Sequence, residues 1–447
     1  MRNKLLEMMF EHERWNDLII KADEKGINLA VLKQLCIPQV RVRLYEAIKT
    51  YNYEVAPPHI ARIPKDNGEF REVYVNEDID RIVLTLTNDC LSELFADMIH
   101  PQSKAYQKGI GFQEVVQNVS KEIINIKTDD NFIGYKADLS KYFDSVLIEV
   151  IDSVFDTWET RLGFELGTEP VITILRKYYH NDLVFDINKE LIMHYGSLKQ
   201  GCACASILAN VILYDIDKTL SEMDIIYYRY SDDILMIGKD SIKAKETLEV
   251  MLKDYGLHLN PKKVEKLYSD KWFKFLGFNI KGDQITLSKN RVKKLLKEIC
   301  KETLVKPWIS PTQAKANVKR ILYGTGDGYS WATSAFNAMQ NCEEDVITLN
   351  NWIMDCIRIC EIRYNYNKER KEKGLKPKKI IYGMNDVGGI GVITDLPDRT
   401  LIRAKGRKVG TAKERTQKEI EYYYSINCLL KCYKLSKPIY EACVRGM

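Results

Sequence analysis

The sequence predicts an α+β fold, and three observations lead there. Between residues 55 and 288, short apolar runs of strand length alternate with longer stretches of helical periodicity. Two of the strand-like runs flank Asp66-Asn67-Gly68, a strong hairpin signal. From residue 289 onward the periodicity is mainly helical and the composition turns basic. The chain therefore divides into an N-terminal helical segment (1–55), a mixed domain (56–288) and a basic helical extension (289–447).

Each element follows from its local pattern. Leu5-Leu6-Met9-Phe10 and Leu29-Val31-Leu32-Leu35 recur at helical spacing, and Pro57-Pro58 end that pattern. Residues 60–65 and 71–75 read as strands, and 77–98 as a helix. Residues 132–138 are a short apolar run closed by an acid. Helices are expected at 146–158 and 169–179, and one long apolar helix from Cys202 to Leu220. Residues 225–238 read as strand, turn, strand, with two acids at the turn. A helix at 241–256 and short strands over 264–288 complete the domain. Beyond it, helices are expected at 289–303, 312–322, 344–366 and 414–434, with a Lys-, Arg- and Gly-rich stretch of loops and short strands at 367–411.

Bulk properties narrow the function classes. No apolar run approaches the roughly 18–20 residues of a membrane span, and the first residues lack the apolar core of a signal peptide. The 11 cysteines are odd in number and scattered, which suits a reduced compartment better than a disulfide framework. A cytoplasmic location is the expectation. Cys356/Cys360 and Cys428/Cys432 are each one helical turn apart, a spacing open to zinc or to buried helix faces. The net charge of +5 conceals an asymmetry: residues 281–447 carry 32 Lys and Arg against 18 Asp and Glu, leaving 35 against 44 in the rest. A basic region suits phosphate backbones, and an acidic one suits divalent cations.

Three acids sit where strands should end. Asp138 closes the run from Phe132, and Asp232 and Asp233 fill the turn of the 225–238 hairpin. Acids bordered by apolar strand are costly unless they meet a cation. Oxygen ligands of this kind suit Mg²⁺, and two such ions about 3.5–4 Å apart serve in-line phosphoryl transfer.

The order of motifs extends this reading. Tyr230-Ser231-Asp232-Asp233 resembles the YxDD box of reverse transcriptases, and Asp138-Leu139-Ser140-Lys141-Tyr142-Phe143-Asp144 resembles their first catalytic motif. Gly196-Ser197-Leu198-Lys199-Gln200-Gly201, with Ser206, Ala209 and Asn210 after it, is similar to their template- and nucleotide-positioning motif. Gly256 to Lys263 resembles the next element, and Phe275-Leu276-Gly277 the primer grip. Pro101 to Gly109 resembles a fingers segment touching the template or the floor of the nucleotide pocket. The resemblance spans roughly residues 60–280 and implies a right-hand polymerase fold: fingers, a palm with an antiparallel sheet, and a basic helical thumb.

It also implies roles. Asp138, Asp232 and Asp233 would hold two Mg²⁺ ions, with Mn²⁺ as a substitute. Phe143 matches the gate that crowds a ribose 2′-OH. Lys65 and Arg71 match positions that clamp the incoming triphosphate. Gln200 and Gly201 would lie against the nucleotide, glycine permitting close approach. Lys263, with Lys262 as the alternative, would protonate the leaving pyrophosphate.

The rest of the chain carries fewer signals. Lys378, Lys379, Arg403, Lys405, Arg407 and Lys408 lie in basic clusters that suit RNA phosphates as well as a solvated face. Tyr422-Tyr423-Tyr424 suit base stacking, a priming hydroxyl or a half-buried helix face. No RNase H acid set and no cysteine-rich nuclease motif is recognisable, and the chain most resembles the unknown-group and abortive-infection reverse transcriptases of bacteria. That resemblance implies an RNA-directed DNA polymerase in antiphage defence. It would act on dNTPs and an RNA template, with a dedicated non-coding RNA as partner and a homo-oligomer as one state. Untemplated or protein-primed synthesis is the alternative, and a silent RNA-binding module is the reading from another class.

Overall fold

The computed structural model describes residues 4–65, 69–107, 109–126, 131–305, 309–324, 330–376, 382–384 and 390–392. The chain forms two compact units, Met1–Ile110 with Thr128–Tyr268, and Gly111–Lys127 with Ser269–Met447.

The first unit opens with four helices, α1 (Lys4–Met9), α2 (His12–Ile20), α3 (Leu29–Leu35) and α4 (Pro38–Lys49). Leu5, Leu6, Trp15, Leu32 and Ile48 turn inward and join the main core. Strands β1 (His59–Pro64) and β2 (Phe70–Val75) form the expected antiparallel hairpin, and α5 (Asp78–Leu94) follows. Helix α6 (Phe112–Ile123) belongs to the second unit. Next come β3 (Phe132–Asp138), α7 (Tyr142–Ser145), α8 (Ile148–Leu162) and α9 (Pro170–His180). Pro170 at the first turn and the Glu169 carboxylate, accepting from the Ile172 N–H at 2.7 Å, start α9. Two short strands the sequence did not reveal, β4 (Leu183–Phe185) and β5 (Leu191–Met193), extend the fingers sheet to the order β2-β1-β4-β5.

The expected single helix from Cys202 to Leu220 is instead two, α10 (Ala205–Val211) and α11 (Tyr214–Ser221). The break has a cause. The Ala209 carbonyl accepts from Tyr142 Oη at 2.7 Å and from Arg229 Nη1 at 3.1 Å, and the Asn210 carbonyl accepts from Arg229 Nη2 at 3.1 Å. Those oxygens would otherwise pair four residues on. The unit closes with β6 (Ile225–Tyr230), β7 (Asp233–Gly238), α12 (Ser241–Met251) and β8 (Glu265–Tyr268). The palm sheet has the order β6-β7-β3-β8, all antiparallel. Its buried face, with Ala137, Ile234 and Met236, packs in one contiguous core with Phe155, Trp158 and Leu248.

The second unit holds α6, a sheet of β9 (Phe273–Phe275), β10 (Phe278–Lys281) and β11 (Gln284–Leu287), and α13 (Lys289–Cys300) running into a π-turn. Helices α14 (Pro311–Tyr323), α15 (Trp331–Ala338) and α16 (Glu343–Glu372) follow, with a strand pair, β12 (Tyr382–Met384) and β13 (Ile390–Val392). Ser310 and Ser330 cap α14 and α15, and α15 is a helix the sequence pattern did not reveal. The Arg291 guanidinium lies between two rings, 4.4 Å from Phe112 and 4.5 Å from Phe278, tying α6, β10 and α13. Cys356 and Cys360 are fully buried on α16, and Cys356 Sγ is 3.9 Å from Cys300 Sγ. Cys428, Cys432, the expected helix at 414–434 and Tyr422-Tyr423-Tyr424 lie outside the described residues. Among the described residues no helix is long and apolar enough to cross a membrane.

Candidate active site

The geometry begins with strand register. Asp138, the last residue of β3, pairs with Asp233, the first residue of β7, and Tyr230 pairs with Asp233 across the hairpin. The turn between β6 and β7 is Ser231-Asp232, with Ser231 in the left-handed region at φ 59°. The Leu139 N–H donates to the Asp232 carbonyl at 3.0 Å, and the Asn260 N–H donates to the Asp138 carbonyl at 2.8 Å. Ser140 N–H reaches the His258 carbonyl at 2.9 Å. Three segments distant in sequence thus bring the three predicted acids to one end of the palm sheet.

Their electrostatics fit a cation site. Asp138 is 6% exposed. Burial, then the charges of Asp232 and Asp138, push Asp233 up to about 6. Burial and the Asp138 charge also raise Asp232. Like charges buried together disfavour ionisation, and a divalent ion relieves that repulsion. Lys263 Nζ lies 2.7 Å from Asp138 Oδ2. Burial pulls the Lys263 ammonium down, but the hydrogen bond and the charges of Asp138, Asp232 and Asp233 outweigh it and leave the group raised. Among the described residues no group of three or more His, Cys, Asp or Glu side chains is arranged to hold a metal ion. The donor set is nevertheless hard oxygen, as Mg²⁺ prefers.

The remaining predicted positions lie on the β1–β2 hairpin, on α7, in the 196–201 loop and after Asn260, or outside the described residues. Arg71 is on β2, and its charge lowers Asp232 against the burial that raises it. Lys65 follows β1 on the same hairpin, with Glu69 3.7 Å from its ammonium. Half-buried Phe143, on α7, meets Tyr142 edge-on at 5.5 Å, and its carbonyl accepts from the Leu198 N–H at 2.8 Å. Gln200 accepts at its carbonyl from the Tyr74 N–H at 2.7 Å. Gly201 sits at φ 113°, and a Cβ there would lie 2.5 Å from the Tyr74 carbonyl oxygen. The close approach that requires glycine is thus to β2. Lys262 donates its N–H to Asn260 Oδ1 at 3.1 Å. Lys378, Lys379, Arg403, Lys405, Arg407 and Lys408 lie outside the described residues.

Sequence reasoning missed a buried network behind the acidic turn. Arg229, on β6 with no exposed surface, places Nη2 2.6 Å and Nε 2.7 Å from the Asp217 carboxylate. Tyr227 Oη donates to Asp217 at 2.7 Å. Asn210 joins the 101–109 segment to this network, accepting from Ser103 Oγ at 2.8 Å and donating to the Ala105 carbonyl at 2.8 Å. The Lys104 N–H donates to the Arg229 carbonyl at 2.8 Å, and Tyr106 Oη lies 3.2 Å from Ser231 Oγ. An arginine inside an apolar strand, beside the acidic turn, was the available signal.

Comparison with known proteins places this geometry. Residues 63–280 match the family model described as "Reverse transcriptase (RNA-dependent DNA polymerase)". No curated protein matches the chain. Solved structures that match include apo telomerase from Candida tropicalis truncated from its C-terminal domain, at TM-score 0.39 and 17% identity, covering 54% of this chain and 59% of that one. Telomerase from Candida albicans with a TWJ fragment of telomeric RNA matches at TM-score 0.39 and 13% identity, covering 75% and 66%. Apo telomerase from Candida tropicalis matches at TM-score 0.43 and 13% identity, covering 73% and 60%. The chain spans 59–66% of the length of those telomerase chains. The family match covers both strands that carry the acids, the Arg71 strand and the 196–201 loop; over residues 63–280 this α+β chain is similar to that family.

Proposed function

We propose that this chain is an RNA-directed DNA polymerase that adds deoxynucleotides to a primer, with Asp138, Asp232 and Asp233 holding two Mg²⁺ ions. The supporting observation is the Asp138–Asp233 register, which gathers one buried and two half-buried carboxylates whose repulsion calls for a cation. Bound divalent ions would supply charge stabilisation at the attacking and leaving oxygens. The chain's own residues do the rest. Arg71 and Lys65 bind the triphosphate by charge-assisted hydrogen bonds. Phe143 crowds the sugar, and the 196–201 loop supports the nucleotide. Lys263, once released from Asp138, donates a proton to the leaving pyrophosphate. We read 1–55 as a helical segment, 56–288 as fingers and palm, and 289–447 as thumb and extension.

The partners in this reading are an RNA template, dNTPs and the DNA product, in the cytoplasm, with a dedicated non-coding RNA gripped by the basic C-terminal clusters. The defence role rests on the motif resemblance alone. Phage plating on cells with the wild-type gene, against cells carrying Asp232→Ala with Asp233→Ala, tests it: protection that needs both acids supports the role, and equal plating refutes it. The activity itself is tested by primer extension on an RNA template with Mg²⁺ and dNTPs. The double variant should extend nothing, and full activity in it would show the site to be misassigned.

A further inference from the structure

The 196–201 loop contains a lysine for which the reaction has no evident use. Lys199 has no exposed surface, although a buried ammonium is costly to keep. Its backbone is left-handed, at φ 46°, as the loop continues to Gln200. Nζ donates to the Asn181 carbonyl, at the C-terminal cap of α9, and lies 4.8 Å from the Tyr178 ring centroid. A cation at a helix C-terminus and over an aromatic face is stabilised electrostatically. Among the described residues no carboxylate comes within ion-pair distance of Nζ. The charged and titratable groups that act on it are Asp182 after α9, Tyr178 on α9 and Cys202 in the turn before α10.

The loop anchored in this way touches the parts that meet the nucleotide. Ser197 Oγ donates to the Val146 carbonyl at 2.6 Å, and the Leu198 N–H donates to the Phe143 carbonyl at 2.8 Å. The Gln200 carbonyl accepts from Tyr74 on β2, three residues from Arg71. Cβ atoms at Gly196 and Gly201 would collide with Tyr74, so the loop has one way to lie against that strand. A methionine at 199 would fill similar volume without the buried charge.

We infer that Lys199 is a positioning residue for nucleotide binding: its ammonium, held by the end of α9, fixes the 196–201 loop against Phe143 and Tyr74 and so sets dNTP affinity. This rests on the polymerase reading. Burial pulls the ammonium down to about 8, with Asp182 and Cys202 pulling it back up. Loss of that proton in mildly alkaline solution should loosen the loop.

Hydrogen exchange of the full-length protein separates this inference from the polymerase reading, because it needs no activity. In Lys199→Met, peptides covering 196–202 and 71–76 should exchange at least tenfold faster than in wild type, with peptides from α8 unchanged. Wild type should show the same loosening between pH 7 and pH 9 after correction for intrinsic rates, which decides the matter even if the variant does not fold. In primer extension at pH 7, Lys199→Met should raise the dNTP KM about tenfold with a smaller effect on kcat. Its KM should not change with pH between 7 and 9, and Lys199→Arg should recover most of the affinity. Unchanged loop exchange in both tests would overturn the inference. Absence of any primer extension by wild type would overturn the polymerase reading and leave the exchange result to judge Lys199.

Discussion

The Lys263 ammonium lies 2.7 Å from the Asp138 carboxylate, where a divalent ion would also bind. An internal cation and an external one then compete for the same oxygens. Replacing Lys263 by Met should tighten Mg²⁺ or Mn²⁺ binding in the absence of nucleotide, by about three- to tenfold, a tenfold change being ~1.4 kcal/mol. Isothermal titration calorimetry reads this directly. Equal or weaker binding would show that the ion does not compete for Asp138.

The raised Asp233 carboxyl links stability and metal binding to pH. Its folded pKa, about 6, exceeds the unfolded value near 3.8. Its contribution to stability is therefore fully present below about 4 and lost as pH rises through about 6. Asp233→Asn should raise the Tm of the metal-free protein at pH 7 and matter little at pH 4. Divalent affinity in wild type should fall as pH drops below about 6, with proton release on binding. A pH-independent affinity between 5 and 7 would contradict the assignment.

Phe143 tests sugar selection. Removing its ring should admit ribonucleotides, and Phe143→Ala should lower the preference for dNTP over rNTP by at least tenfold. Competitive incorporation on an RNA template measures it. Unchanged selectivity would remove the gate role and leave Phe143 as packing against Tyr142.

The Arg229–Asp217 pair, with both side chains fully buried, supports the acidic turn from behind. Breaking one partner leaves an uncompensated buried charge, at a cost of about 3–5 kcal/mol. Arg229→Met should show this loss in urea unfolding, and Arg229→Met with Asp217→Leu should recover part of it. A loss below about 1 kcal/mol would place the pair among weakly coupled ions.

The acids were legible because local chemistry marked them. An apolar run ending at Asp138 and a hairpin turning at Asp232 leave few other arrangements, and motif order tied them together. What stayed hidden depended on distant partners. The break between Val211 and Tyr214 exists because Arg229 and Tyr142 take two helix carbonyls, which no local propensity reveals. Strands β4 and β5 are three residues each and become part of a sheet only by pairing with β1 and with each other. Gly201 was read as making room for a nucleotide, and the structure puts the Tyr74 carbonyl there. Lys199 stood in the sequence only as one residue of the 196–201 motif, and nothing local marks its side chain as fully buried.

The central claim is that Asp138, Asp232 and Asp233 share cations for nucleotidyl transfer. The most direct measurement is Mn²⁺ binding followed by electron paramagnetic resonance, alongside primer extension, in wild type and in Asp138→Asn. Wild type should bind the ion and extend an RNA-templated primer, and the variant should lose at least tenfold in ion affinity together with extension. Unaltered Mn²⁺ binding and full extension in Asp138→Asn would contradict it.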